Sequence, residues 1–174
     1  MYLELKILIA EDDKDIALSY KVVLEDRGHV VMITYDGQDC LCKYHEELQK
    51  IAIGIDMPVR IQPFDLVILD YRMPKINGIQ VAKEILAVNP HQRIIVASAH
   101  YDHTSIDQVN SLKQIVEVSK KPFTNEFLVQ TVEEYKLIYD ELEKLNVDVD
   151  IIRAAGVSYE QLSSILGTLR NCKR

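Results

Sequence analysis

The sequence is poor in features that mark several protein classes. It holds three cysteines, Cys40, Cys42 and Cys172. So sparse and odd a set supplies no disulfide framework and fits a reducing compartment. Cys40 and Cys42 stand two apart on a stretch of helical character and so point to different faces, which argues against a metal-binding pair. No apolar run reaches the ~18 residues of a membrane-spanning helix. The opening MYLELKILIAEDD carries acids where a signal peptide has an unbroken apolar core. The expectation is a cytoplasmic chain with no membrane partner. A basic excess is also missing: 20 Lys and Arg face 27 Asp and Glu, a net charge of −7. Charge alone therefore does not draw the chain to nucleic acid. The imbalance is uneven, because from Val147 onward Arg153, Arg170, Lys173 and Arg174 outnumber Asp148, Asp150 and Glu160. Neither repeats nor low-complexity segments occur.

What remains is an ordinary globular composition over 174 residues, 48% hydrophobic and 27% charged. That length suffices for one domain with a substantial core and a small appendage. Four apolar runs stand out: Leu5 to Ala10, Val30 to Thr34, Leu66 to Leu69 and Ile94 to Ala97. Short continuous runs suit strands buried on both faces of a parallel sheet. Gln114 to Val118 is a weaker fifth. Helical spacing links Ile16, Tyr20, Val23 and Leu24, closed by Arg27-Gly28, and again Ile79, Ala82, Ile85 and Leu86, opened by Asn77-Gly78 and stopped by Asn89-Pro90. Strand and helix in alternation predict an α/β fold with a doubly wound, five-stranded parallel sheet.

Two regions break this rhythm. Between Ile51 and Pro63, alternating Ile51, Ile53, Ile55, Val59 and Ile61 around Asp56-Met57-Pro58 predict a small hairpin or ordered loop inserted before the third strand. Near the C-terminus, a helix starting near Thr124 stays in phase through Leu128, Val132, Tyr135, Tyr139, Leu142 and Leu145. At about 22 residues and about 33 Å it is longer than the sheet needs. A short helix follows over Asp150 to Ala155, and Ser158 to Gln161 resembles a capping box opening a last helix whose apolar face is Leu162, Ile165, Leu166 and Leu169. The expected division is a main domain over 1–146, with the insert at 51–63, and a helical extension over 147–174.

In an open α/β sheet, chemistry sits beyond the carboxyl ends of the strands. Glu11-Asp12-Asp13 follows the first strand, Asp70 the third, Ser98 the fourth, and Lys120, Lys121 and Pro122 the fifth. If those strands are neighbours, several carboxylates converge with one hydroxyl and one ammonium. Such a group repels itself unless a cation sits in it. Oxygen ligands with room for water suit Mg²⁺. Asp70 would then be a carboxylate nucleophile toward phosphorus, with metal, lysine and hydroxyl holding the phosphoryl oxygens. Any one of these acids taken alone is more simply a solvated loop residue or a helix N-cap.

The stretches KILIAEDDKDI, DLVILDYRMPKINGIQ, IIVASAH and KKPF occur in that order. Together they resemble response-regulator receiver domains of two-component signalling, over Leu3 to about Lys136. The resemblance implies a flavodoxin-like receiver fold. It makes Asp70 the phosphoacceptor, supplied by the phosphohistidine of a sensor histidine kinase or a phosphotransfer protein. It makes Glu11 and Asp12 the acidic pair for Mg²⁺, with Asp13 the runner-up. Arg72 supplies a metal contact through its backbone carbonyl. Ser98 matches the family's hydroxyl residue, and Lys121 its lysine, with Lys120 the competitor. Pro122 after Lys121 suggests a cis peptide bond. Such a protein is a signalling module, not an enzyme acting on a separate substrate.

The sequence departs from the family pattern at Val118, where an aromatic residue is usual, and the insert is extra. Tyr101, three residues after Ser98, is a candidate substitute for that aromatic. His100 and His103 follow the fourth strand and are taken as loop histidines rather than a metal pair. Downstream, AAGVSYEQLSSIL resembles the helix-turn-helix of bacterial repressors, which would place Tyr159, Gln161, Ser163 and Ser164 near a DNA groove. Against it stand the short first helix, Ile152 where a small residue is preferred, and basic residues only at the end. A helical hairpin that caps the body or forms a contact explains the same pattern, so DNA is the weaker alternative. The extended last helix is the expected homodimer surface. An aspartate-nucleophile phosphohydrolase is disfavoured, because Arg72 stands where such enzymes carry a second acid. A flavin protein is discarded, because Glu11-Asp12-Asp13 presents negative charge where a phosphate would bind.

Overall fold

The apolar runs become the strands of one parallel sheet. The structure, a computed structural model, describes residues 4–52, 62–90, 92–99, 116–145, 147, 161 and 164–168. Its elements are β1 (Lys6–Ala10), α1 (Lys14–Glu25), β2 (Val30–Thr34), α2 (Gly37–Ala52), β3 (Leu66–Asp70), α3 (Gly78–Val88), β4 (Ile94–Ser98), β5 (Val116–Lys120) and α4 (Asn125–Lys144). The strand order is β2-β1-β3-β4-β5. The order reverses at β1, so the crevice between β1 and β3 is the switch point where an open α/β sheet places its site.

β3 and β4 are buried on both faces, which is why each is apolar up to its last residue. Alternate residues serve opposite faces. Leu8, Val67, Leu69, Ile94 and Val96 join Cys40, Tyr44, Val81 and Ile85 in the cluster under α2 and α3. Ile7, Ile9, Leu66, Ile68 and Ile95 join Tyr20, Leu24, Leu128 and Val132 under α1 and α4. A fully buried aliphatic side chain of this kind contributes roughly 1.5–3 kcal/mol.

Local signals set the helix ends. Asp13 caps α1, its Oδ1 accepting from the Asp15 and Ile16 amides at 2.9 and 3.1 Å. Past the other end of α1, Gly28 takes φ +86°. Its amide donates to Glu25 O at 2.8 Å, and the His29 amide to Leu24 O at 3.1 Å, the paired bonds of a Schellman turn. α3 opens with a reciprocal capping box. The Gln80 amide donates to Asn77 Oδ1 at 2.9 Å and the Asn77 amide to Gln80 Oε1 at 3.3 Å.

Several boundaries differ from expectation. α2 runs through Ala52, so Ile51, expected in the insert, belongs to a helix; residues 53–61 lie outside the described residues. β5 spans Val116–Lys120, two residues later than expected, and Lys120 is inside it, paired with Ser98. α4 is 20 residues long and is tied to the body along its first half. Arg27 Nε and Nη2 reach the two Glu133 carboxylate oxygens at 2.8 and 2.9 Å. The buried Arg93 guanidinium donates to Thr131 O and Val132 O at 2.8 and 3.2 Å. Beyond that, Leu142 is fully buried although it belongs to neither cluster on the sheet. Residues 164–168 are helical with Leu166 buried, Ile165 half-buried and Ser164, Gly167 and Thr168 exposed; Leu162 and Leu169, also expected on that apolar face, lie outside the described residues. His100, Tyr101, His103, the stretch Asp150 to Ala155, the Ser158 end of the proposed capping box, and the side chains of Val118, Tyr135 and Tyr139 lie outside the described residues. Among the described residues, no helix is long and apolar enough to cross a membrane.

Candidate functional site

Parallel register brings the expected residues to one rim. Ala10 pairs with Leu69, Asp70 with Ala97, and Ser98 with Lys120. Glu11 and Asp12 leave β1, Asp70 ends β3, Ser98 ends β4 and Lys121 leaves β5. The turns are held by the backbone: the Glu11 amide donates to Thr34 O at 3.1 Å, Tyr71 to Ala97 O at 2.8 Å, and Lys121 to Ser98 O at 2.8 Å. The Lys121-Pro122 bond is cis, as expected from the sequence.

Glu11, Asp70 and Ser98 are buried, while Asp12 is exposed. One carboxylate oxygen from each of Glu11, Asp12 and Asp70 lies within 4.8 Å of the others. The Lys121 ammonium lies 2.5 Å from Asp70 Oδ1 and also donates to Glu11 Oε2. Asp70 Oδ2 accepts from the Arg72 amide at 2.9 Å. Both oxygens of Asp70 are therefore aimed. Asp13 is elsewhere, committed to the α1 cap. The ammonium that meets the acids is that of Lys121.

The electrostatics follow from burial and charge. Burial pushes the Glu11 carboxyl above its ordinary 4.5, and Asp70 and Asp12 push the same way, against the pull of Lys121. Burial alone would lower the Lys121 ammonium, but its bonds to Asp70 and Glu11 win and raise it above 10.5. The site thus holds its lysine charged, while for Glu11 burial outweighs the pull of that ammonium. Three carboxylates, one of them open to solvent, form a hard-oxygen donor set, which fits Mg²⁺. Glu11, Asp12 and Asp70 would hold it.

Two neighbours were not singled out for the site from sequence. The spacing of Tyr20 marks only a core position of α1, yet its ring stacks on Phe123 at 5.2 Å between centroids and 17° between planes. Burial pushes its phenol up to about 12, with Glu11 and Asp70 adding to the rise and Lys121 opposing it. Gly78 opens α3 against Asp70, because a Cβ there would stand 2.3 Å from the Asp70 carbonyl oxygen.

Comparison with known proteins agrees with this geometry. Residues 7–133 match the family described as the response regulator receiver domain. The chain belongs to that family. It is 31% identical over 108 residues to the transcriptional regulatory protein DltR of Streptococcus agalactiae, covering 62% of this chain and 41% of that one. It is 31% identical over 150 residues to the response regulator RR06 of Streptococcus pneumoniae, covering 84% of this chain and 61% of that one. The chain therefore spans less than two thirds of either relative. Among solved structures, the CheY-like receiver domain protein of Methanospirillum hungatei superposes with a TM-score of 0.61 at 24% identity, over 82% of this chain and 98% of that one. That likeness supports the fold.

Proposed function

We propose that Asp70 accepts a phosphoryl group from the phosphohistidine of a sensor histidine kinase or phosphotransfer protein, in a reaction that requires Mg²⁺. The observation that carries this reading is the Lys121 ammonium against Asp70 Oδ1 and Glu11, beside carboxylates that converge with Asp12. An Asp70 oxygen bonds to phosphorus as the phosphorus–nitrogen bond breaks, and the electron pair returns to the donor imidazole. Mg²⁺, held by Glu11, Asp12, Asp70 and the Arg72 carbonyl, supplies charge neutralisation when bound. Lys121, bonded to Asp70 Oδ1, is assigned to the oxygen charge that develops there. Ser98 ends β4 one residue beyond Ala97, the register partner of Asp70, and its hydroxyl is assigned to a second phosphoryl oxygen. Glu11, Asp70 and Ser98 are buried, and that floor is read as limiting the approach of water to the acyl phosphate.

The chain is read as a cytoplasmic signalling protein without a separate substrate. Its output is assigned to a partner or to a homodimer formed through α4. DltR is named a transcriptional regulator, so a DNA-reading tail is the second reading. Against it, Leu166 in the tail is already buried within this chain, which favours packing.

The test is incubation with a small acyl-phosphate donor, with and without Mg²⁺, followed by intact mass measurement. The wild type gains one phosphoryl group with Mg²⁺ only, and Asp70→Asn gains none. Equal labelling of Asp70→Asn would refute the assignment. Sizing before and after phosphorylation tests dimerisation, and a gel shift with the 147–174 tail deleted tests DNA binding.

A further inference from the structure

Lys121 bonds both Glu11 and Asp70, so its backbone has to be held as firmly as theirs. Glu11 and Asp70 leave central strands of the sheet. Lys121 leaves β5, an edge strand, and only Pro122, Phe123 and Thr124 separate it from α4. Within that turn the Lys121 amide donates to Ser98 O at 2.8 Å, and Thr124 O accepts from the Leu128 amide at 3.0 Å, at the start of α4. Pro122 has no amide to offer. The middle of the turn is fixed by the Phe123 ring. It stacks on Tyr20 at 5.2 Å and 17°, leans on Phe127 at 5.9 Å and 46°, and packs against the cluster under α1 and α4. Tyr20 is 7% exposed and sits on α1, the helix that follows Glu11, Asp12 and the Asp13 cap. The stack therefore joins the segment that carries the acids to the segment that carries the lysine, without passing through the sheet.

We propose that Tyr20 is a positioning residue for phosphoryl transfer: its ring, through the stack on Phe123, holds the turn that sets the Lys121 ammonium against Asp70 and Glu11. The proposal rests on the phosphoacceptor reading of Asp70. The ring does the holding, so the hydroxyl is dispensable. Leucine keeps the site apolar but is smaller and cannot stack, and it leaves the turn free to shift. Misplacement of a charged group by a fraction of an ångström is enough to slow a transfer step, because the charge then lags the oxygen it must meet.

The experiment compares wild type, Tyr20→Phe, Tyr20→Leu, Phe123→Leu and the Tyr20→Leu/Phe123→Leu double variant. Each is labelled with acetyl phosphate at saturating Mg²⁺, and its thermal midpoint and metal-free circular dichroism are recorded. Tyr20→Leu and Phe123→Leu each slow labelling about tenfold. The double variant is no slower than either single variant, because both changes break one stack. Tyr20→Phe labels within about twofold of wild type, a rescue that a hydroxyl role would not give. If Tyr20→Leu is folded and labels at the wild-type rate, the proposal is overturned. It is overturned equally if the two single effects multiply in the double variant, or if Tyr20→Phe is as slow as Tyr20→Leu. If Tyr20→Leu fails to fold, Phe123→Leu alone decides, and a wild-type rate there overturns the proposal. A wild type that takes no label refutes the phosphoacceptor reading itself, a result distinct from labelling that is insensitive to the stack.

Discussion

Gly78 rests on the backbone of Asp70: a Cβ at position 78 would stand 2.3 Å from the Asp70 carbonyl oxygen and 3.3 Å from Leu69 Cβ. The Gly78 amide also donates to Tyr71 O at 3.1 Å. The first turn of α3 thus fixes where β3 ends. The obstacle is backbone, which cannot rotate away as a side chain tip would. Gly78→Ala should therefore cost about 2 kcal/mol or more in stability and slow labelling of Asp70. Gly28→Ala is the contrast. Gly28 has open space around it but φ +86°, so the cost should be about 1 kcal/mol from backbone strain, with labelling intact. Urea midpoints and labelling rates of the two variants check this. Equal labelling losses would remove the special role given to the Gly78 contact.

Asp12 and Asp13 are neighbours in sequence with different work. Asp13 accepts two amide hydrogens at the start of α1, while an Asp12 oxygen converges with Glu11 and Asp70. Asp13→Ala should lower stability by about 1 kcal/mol and leave Mg²⁺ affinity within about twofold. Asp12→Ala should leave the helix intact and weaken Mg²⁺ binding by about tenfold or more. Titration of Mg²⁺ in both variants, with urea unfolding alongside, separates the roles. A loss of Mg²⁺ affinity in Asp13→Ala equal to that in Asp12→Ala would reverse the assignment.

The fold and the site rim were legible because the physics that forms them is local. β3 and β4 are continuous apolar runs ending in Asp70 and Ser98, and parallel register then sets those ends side by side. β5 lies two residues later than its sequence suggests because VEVSK, at the edge of the sheet, alternates and so gives a weaker signal than a buried run. Ile51 alternates with Ile53 and Ile55 as a strand would, but α2 carries on through it to Ala52. Contacts between distant segments left no local trace. The stack of Tyr20 on Phe123 and the reach of Arg93 to the carbonyls of α4 depend on how helices dock. Tyr20 has the spacing of any core residue, so periodicity could place it inside but not beside Lys121.

Such a hidden contact also anchors the foot of the sheet. The Tyr44 hydroxyl donates to Gln92 Oε1 at 2.8 Å and accepts from Asn89 Nδ2 at 3.1 Å, while Gln92 Nε2 donates to Phe64 O at 3.0 Å. Tyr44 and Gln92 are both buried. Tyr44→Phe leaves the Gln92 oxygen without that donor and should cost about 1–3 kcal/mol. Labelling at Asp70, at the opposite end of the strands, should stay within about twofold of wild type. Thermal midpoints and labelling rates test both statements, and an unchanged midpoint would show that the network adds nothing to stability.

The tie between the turn after α1 and α4 should be sensitive to acid. The Arg27 guanidinium, bonded to both oxygens of Glu133, holds that carboxyl below its ordinary 4.5 against the opposing effect of burial, and His29 adds a smaller pull. The His29 Nε2 lies 3.6 Å from Glu133 Oε1, and its Nδ1 accepts from the Leu5 amide at 3.3 Å. A depressed carboxyl in the folded state binds its proton less readily than in the unfolded chain. Its contribution is therefore fully present above 4.5 and is lost as pH falls through the lower folded value. Arg27 is 39% exposed, so solvent screening trims the gain, and Glu133→Gln should cost about 1 kcal/mol at neutral pH. The gap between wild type and Glu133→Gln should close as pH drops below 4.5, and Arg27→Gln should show the same closing gap. Urea midpoints for the three proteins from about pH 7 to about pH 3 measure it. A gap that stays constant across that range would mean that the pair contributes through shape and packing of the two side chains, not through their charge.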